Sequence, residues 1–259
     1  MVDFKTISFD RIATDYDRTR WVPSKLRDKF FNKLIDEVPL STESQIFELG
    51  VGTGRLAIPF SRLGYKMFGI DVSLLMLKEA IQNRGKDHKK LYLLQADANS
   101  LPIKEKSFDF CLFVHILHLL ENWKGVIDSV ERVLKKQNLA HSTLHVSWHD
   151  LEPFRLYWNA IGRGETRRIG AKNPEEVVDY LQDSKGYHCD HFEFEENAGT
   201  ALWEDAVNLI QEKAFSSQWG IQTEQHQAAL EEVKQKMKGK EKEPLKLKAR
   251  CVIDLFRLE

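Results

Sequence analysis

The stretch that most constrains this chain is "FELGVGTGRLAIPF", residues 47–60, where three glycines stand at alternate positions between an apolar run and an amphipathic one. Spacing separates the glycine-rich loops that compete to explain it. A phosphate loop needs a lysine directly after its last glycine, and Gly54 is followed by Arg55 and Leu56. The dinucleotide pattern G-x-G-x-x-G, anchored on Gly50 and Gly52, needs a glycine where Arg55 stands. What remains is G-x-G-x-G after a short strand, "IFEL", with Glu48 near its end. Such a turn brings bare backbone close to a ligand.

The pattern around the loop fixes the fold class. Amphipathic stretches at roughly 9–20 and 24–38 read as helices, the second opened by Pro23 and Ser24 and stopped by Pro39. From residue 45 short β-like runs alternate with helical ones: "QIFEL", a helix over 55–63, "KMFGID", a helix over 73–84, "LYLLQAD" and "FDFCLFVH". That alternation is the signature of βαβ units in a parallel sheet. Trp123, Val126, Ile127, Val130, Val133 and Leu134 form a helical stripe, and "LAHSTLHVSWHD" reads as a fifth strand. Helices near 151–162 and from Pro174 to about Lys185, a sixth strand in "YHCDHFEFEE", helical patterns at about 200–215 and 223–238, and a last strand in "LKLKARCVIDLF" complete the chain.

Composition bounds the function. The chain has 259 residues, 42% of them hydrophobic, enough for one large domain. A net charge of -1 provides no global field for nucleic acid or an anionic membrane. Three scattered cysteines, Cys111, Cys189 and Cys251, suit a reducing compartment without structural zinc. The first residues lack an apolar leader, and the most apolar run, "FCLFVHILHLL", is too short to span a bilayer. The expectation is a soluble cytoplasmic protein with no membrane span; its oligomeric state is not legible.

Ligands of open parallel sheets bind beyond the carboxyl ends of the strands. The glycine loop follows the first strand, and Asp71, which follows the second, either accepts from ribose hydroxyls or caps the helix starting near Ser73. Asp97 and Ala98 follow the third strand and His115 the fourth. In that order "ELGVGTGR", "GIDVSLLMLKEA", "ADANSLPIKEKSFDFCLFVHILHLL" and "VERVLK" resemble the successive motifs of class I S-adenosylmethionine-dependent methyltransferases, in the ubiquinone/menaquinone-biosynthesis-like small-molecule branch. "IATDYDRTR" also resembles the segment that precedes the core in that branch. The resemblance covers residues 40–147 and weakens beyond.

The resemblance implies an α/β, Rossmann-like, seven-stranded, mostly parallel sheet with its last strand antiparallel, an N-terminal helical cover and a helical insertion before the last strand. It implies one domain over 1–259: cover over 1–40, cofactor-binding core over 41–150, and substrate-side half over 151–259 with the insertion at about 200–240. S-adenosylmethionine would be the cofactor, S-adenosylhomocysteine the product, and a small molecule the methyl acceptor. By the same resemblance Gly50, Gly52 and Gly54 pack against the methionine end, with His115 beside it. Asp71 binds the ribose, Val72 and Met76 flank the adenine, and Asp97 and Ala98 read its edge. Tyr16 and Arg20 close over the cofactor, Arg20 against its carboxylate, and Glu48 offsets nearby positive charge. Two alternatives stay open: an acceptor on tRNA or protein, or an S-adenosylmethionine-binding protein that does not catalyse.

Catalysis by in-line displacement needs positioning above all. If the acceptor arrives protonated, His115, His118 and His149 stand where a base would reach it, beside the reading that each merely packs. His141, His145 and His149 share one face of the expected fifth strand, but about 13 Å between neighbours is too far for one metal, and none is expected. Arg163, Arg167 and Arg168 either meet an anionic substrate or form a solvated loop. Trp148, Phe154, Tyr157, Trp158, Trp203, Phe215 and Trp219 either wall the pocket or pack the inserted helices.

Overall fold

A computed structural model describes residues 6–85, 90–162 and 169–258. Seven strands form one sheet: β1 (Gln45–Leu49), β2 (Lys66–Asp71), β3 (Leu91–Gln95), β4 (Phe110–Val114), β5 (Asn138–Val146), β6 (His188–Leu202) and β7 (Pro244–Arg257), in the spatial order β3-β2-β1-β4-β5-β7-β6. The pairs among β1 to β5 are parallel, and β7 runs antiparallel to both β5 and β6. The expected sheet with its antiparallel last strand is present. Its order reverses between β1 and β4, so the crevice beyond their carboxyl ends is where a ligand can enter between diverging loops.

β4 is apolar throughout and β1 buries Ile46, Phe47 and Leu49, because helices cover both faces, as parallel sheets require. One face buries α2 (Ser24–Glu37), α3 (Ala57–Arg62), α6 (Glu152–Ile161), α8 (Trp203–Gln211) and α9 (Thr223–Met237). The other buries α5 (Trp123–Val133) and α7 (Pro174–Asp179). The stripe expected on α5 is the buried one: Trp123, Val126, Ile127, Val130 and Val133 face the sheet. The inserted helices before β7 are α8 and α9.

Two segments depart from the sequence reading. Residues 9–20 are not one helix: a 3-10 turn over Asp10–Asp15, broken at Ile12 (φ -128°, ψ 17°), leads into the single turn α1 (Tyr16–Thr19). The reason is tertiary. The Ser73 hydroxyl donates to Asp10, the Thr53 hydroxyl to Asp17 at 2.7 Å and the Asn83 amide to Asp17 at 3.1 Å, so this segment is shaped by the loops beneath it. The fifth strand stops at Val146, and His149 lies on a 3-10 turn, Trp148–Asp150, off the face that His141 and His145 share. Among the described residues no helix is long and apolar enough to cross a membrane.

Candidate functional site

A cleft of about 640 Å³ opens at the sheet's switch point. Its floor begins with the glycine loop between β1 and α3. Gly50 (φ +71°) and Gly52 (φ +54°) lie in the left-handed region, and a Cβ on Gly50 would meet Ile116 at 2.7 Å. Glycine there is a requirement of the turn and of the close approach. The turn aims the Gly52 N–H at Asp71, which accepts it at 2.9 Å and accepts the Ser73 N–H at 2.9 Å on its other oxygen. Ser73 itself caps α4 (Leu74–Arg84), its hydroxyl accepting the Met76 N–H at 3.0 Å. Asp71 is therefore released from the capping role. Burial raises its pKa and the Ser73 and Gly52 amides pull it back. Each oxygen keeps a lone pair for a hydroxyl in the cleft.

Opposite the loop, Arg20 descends from the N-terminal segment into the cleft. Its guanidinium lies over the rings of Tyr16 (4.7 Å), Phe215 (5.2 Å) and Phe9 (5.6 Å), and donates to the Thr19 hydroxyl at 2.6 Å and the Ala214 carbonyl at 3.2 Å. Among the described residues no carboxylate pairs with it. Desolvation, set against nearby Tyr16 and reinforced by the charge of Arg55, lowers its pKa. A desolvated cation without a counter-ion is costly on its own and becomes favourable when an anion arrives.

Of the other residues named from sequence, Tyr16, Val72, Met76, Ala98, His115, His118 and His149 line the cleft. Glu48, Gly54 and Asp97 do not. Gly54 turns toward Ile58 and Ala80. Asp97 is exposed and accepts the Asn99 backbone N–H at 2.9 Å and its side-chain amide at 3.0 Å. Glu48 is 3% exposed beneath the loop, with one oxygen lacking a partner among the described residues. Burial pushes its pKa up to about 8, against the Arg55 charge and the Ala57 amide. Arg163, Arg167 and Arg168 lie outside the described residues.

Glu48 predicts a pH effect. The unfolded chain releases that proton near the ordinary value of 4.5 and the folded chain near 8, so between them the folded state holds more protons. Stability falls as pH rises through that window, at up to about 1.4 kcal/mol per pH unit. Urea denaturation of Glu48→Gln at pH 5 and pH 8 should show its stability gaining on the wild type as pH rises. A constant difference would mean that Glu48 is ionised in the fold.

His115 lines the cleft, with its ring against the backbone of Leu144 in β5. Nε2 lies 2.8 Å from the Leu144 N–H and 3.1 Å from the Leu144 carbonyl, and accepts from the one or donates to the other according to its tautomer. Burial, with the charges of Arg55, His145 and His118, holds its pKa well below the usual value. A φ of +53°, rare for a residue with a side chain, turns its ring into this position. His149 meets Phe154, Trp158 and Phe215, and Trp158 Nε1–H donates to its Nδ1 at 3.4 Å.

Sequence reasoning missed one wall. His141, Thr143 and His145, alternate residues of β5, turn one face to the cleft beside Leu117, Ala171 and Val177. Their period of two was legible, but the spacing was weighed only against a metal. Among the described residues no three metal-binding side chains group closely enough to hold an ion.

Residues 47–140 match the family model described as a methyltransferase domain. A demethylmenaquinone methyltransferase from Tropheryma whipplei (strain Twist) is 33% identical over 128 residues, 49% of this chain and 53% of that protein. The chain thus matches about half of that relative's length. A demethylmenaquinone methyltransferase from Streptomyces avermitilis is 28% identical over 182 residues, 68% of this chain and 75% of its own. Among solved structures, Haemonchus contortus phosphoethanolamine N-methyltransferase 2, in complex with phosphomonomethylethanolamine and S-adenosylhomocysteine, aligns with a TM-score of 0.55 and 14% identity, over 97% of this chain and 58% of that one. At that identity the likeness is one of fold.

Proposed function

We propose, from the match of residues 47–140 to the family model described as a methyltransferase domain, that the chain transfers a methyl group from S-adenosylmethionine to a small-molecule acceptor, leaving S-adenosylhomocysteine. One observation carries the proposal: one cleft offers a carboxylate anchored by two amides, Asp71, and a cation, Arg20, without a counter-ion among the described residues. A ligand with ribose hydroxyls at one end and an amino-acid carboxylate at the other satisfies both. The residues therefore fit this cofactor, which when bound supplies a methyl group made electrophilic by its sulfonium.

The chain's own part is to bind, orient and exclude water. Asp71 holds hydroxyls, Val72, Met76 and Ala98 provide an apolar berth for a base, and Arg20 holds the carboxylate. Asp10, Asp17 and the Arg20 carbonyl, which accepts from Arg55 at 2.5 Å, fasten the N-terminal segment over the cleft. Held in line, donor and acceptor react with effective molarities of about 10⁵ M or more. Phe9, Leu117, Leu119, Trp158 and Phe215 give the rest of the wall an apolar and aromatic stretch, which suits a ring-bearing acceptor of the kind named for the quinone methyltransferase relatives. Unpaired Cys111, Cys189 and Cys251 suit work in the cytoplasm.

Incubation of the protein with methyl-labelled S-adenosylmethionine and a metabolite extract tests this reading. Label should enter the small-molecule fraction. Label confined to macromolecules, or none at all, would overturn it.

A further inference from the structure

We propose that His141 is the base that takes the proton of the methyl acceptor, and that Asp254 positions it. The proposal rests on the methyltransferase reading above and deepens it, since it says which face of the cleft meets the acceptor and what the acceptor must carry.

The geometry begins in the sheet. In the antiparallel register His141 of β5 lies opposite Asp254 of β7, and Asp254 lies opposite His191 of β6. Residues directly opposite point to the same face, so the three side chains form a row across three strands. Asp254 is 3% exposed in the middle of that row. Its Oδ1 lies 2.7 Å from His191 Nδ1 and its Oδ2 3.5 Å from His141 Nδ1. Burial alone would raise the Asp254 pKa, but the two histidines outweigh it and hold the carboxyl below its ordinary value. A buried carboxylate between two rings requires that each turn a proton toward it.

For His141 the carboxylate, 3.5 Å from Nδ1, favours the tautomer that carries its proton there. With the proton on Nδ1, the lone pair sits on Nε2. His141 lines the cleft, and its buried Nδ1 has no hydrogen-bond partner closer than the Asp254 carboxylate at 3.5 Å. His115, His149 and His145 are arranged differently. His115 has its Nε2 against the Leu144 N–H and carbonyl, and the Nδ1 of His149 faces Trp158. His145, like His141, has a buried Nδ1 without a hydrogen-bond partner, but desolvation lowers its pKa and the charge of Asp150 offsets this only in part. The 3.5 Å separation behind His141 is loose for a hydrogen bond and should shorten as the ring gains charge.

The chemistry selects an acceptor with an acidic hydroxyl, such as a phenol or an enol, carried on an apolar ring. The hydroxyl proton passes to His141 Nε2. The electron pair left on the acceptor forms its new bond to the methyl carbon, at oxygen or at the conjugated carbon. The carbon–sulfur bond breaks toward sulfur, leaving a neutral thioether, and the imidazolium returns its proton to water. Where carbon is methylated, that carbon's own hydrogen leaves as a proton when the ring regains aromaticity, and the oxygen takes a proton back from water, so that one proton is released overall. Asp254 touches none of these atoms and acts only through His141.

Three measurements test the pair. Initial rates of label transfer into the metabolite extract should fall about 100-fold or more in His141→Gln, while S-adenosylhomocysteine affinity by calorimetry stays within about twofold of the wild type. Added imidazole should restore part of the rate to His141→Ala, which a purely structural loss would not allow. Nitrogen-15 spectra should place the His141 proton on Nδ1 in the wild type and lose that preference in Asp254→Asn. A wild type that labels metabolites and a His141→Gln that labels them as fast overturns this proposal alone; so does a proton found on Nε2. A wild type that labels nothing overturns the methyltransferase reading and this proposal with it.

Discussion

Asp71→Ala should weaken S-adenosylhomocysteine binding by about 100-fold. The carboxylate has an amide on each oxygen, Gly52 N–H and Ser73 N–H, both at 2.9 Å. Those bonds fix its orientation before any ligand arrives, so the remaining lone pairs are aimed without further loss of freedom. A hydrogen bond to a charged group contributes about 1.5–3 kcal/mol, and a ribose offers two hydroxyls. Alanine also strands both amides, so a loss of affinity by itself could reflect a collapsed glycine loop. Asp71→Asn separates the effects. Its single carbonyl oxygen can keep one amide and much of the loop, yet it removes the charge. Calorimetry on both variants, beside their urea midpoints, should show affinity lost in each and stability lost mainly in the alanine variant. Binding of Asp71→Ala within twofold of the wild type would remove Asp71 from the site.

The legibility of the site follows from the range of the interactions that build it. The glycine loop, Asp71 and the strand alternation are local: a turn needs glycine at Gly50 and Gly52, and a buried strand such as "FCLFV" needs apolar residues at every position. They were therefore readable. The break at Ile12 was not, because Asp10 and Asp17 reach across space to Ser73 and Thr53. The surroundings of His115 were hidden for a related reason: its position after β4 was evident, but the contact of its ring with Leu144 on β5 is a property of the sheet. His141 was hidden furthest. Its partner Asp254 is remote in sequence and becomes its neighbour only because β7 inserts between β5 and β6.

Arg20→Met should separate binding from folding more sharply than any other single change in the cleft. In the wild type the guanidinium sits over three aromatic faces and bonds to neutral oxygens, Thr19 Oγ1 and the Ala214 carbonyl. These partners hold it in place without neutralising it. Methionine keeps the contact with the rings and removes the desolvated charge, so the thermal midpoint of the free protein should hold or rise. Removing one member of a desolvated charge pair costs about 2–5 kcal/mol in binding, so S-adenosylhomocysteine affinity should fall by at least about 30-fold. Arg20→Lys retains the charge without the planar fork and should lie between the two. If Arg20 serves only to join the N-terminal segment to the 214–219 turn, the pattern reverses: the midpoint falls in Arg20→Met and the affinity per folded molecule stays as it was. Scanning calorimetry with and without S-adenosylhomocysteine reads both quantities from one sample, and the sign of each change decides between a carboxylate receptor and a structural clasp.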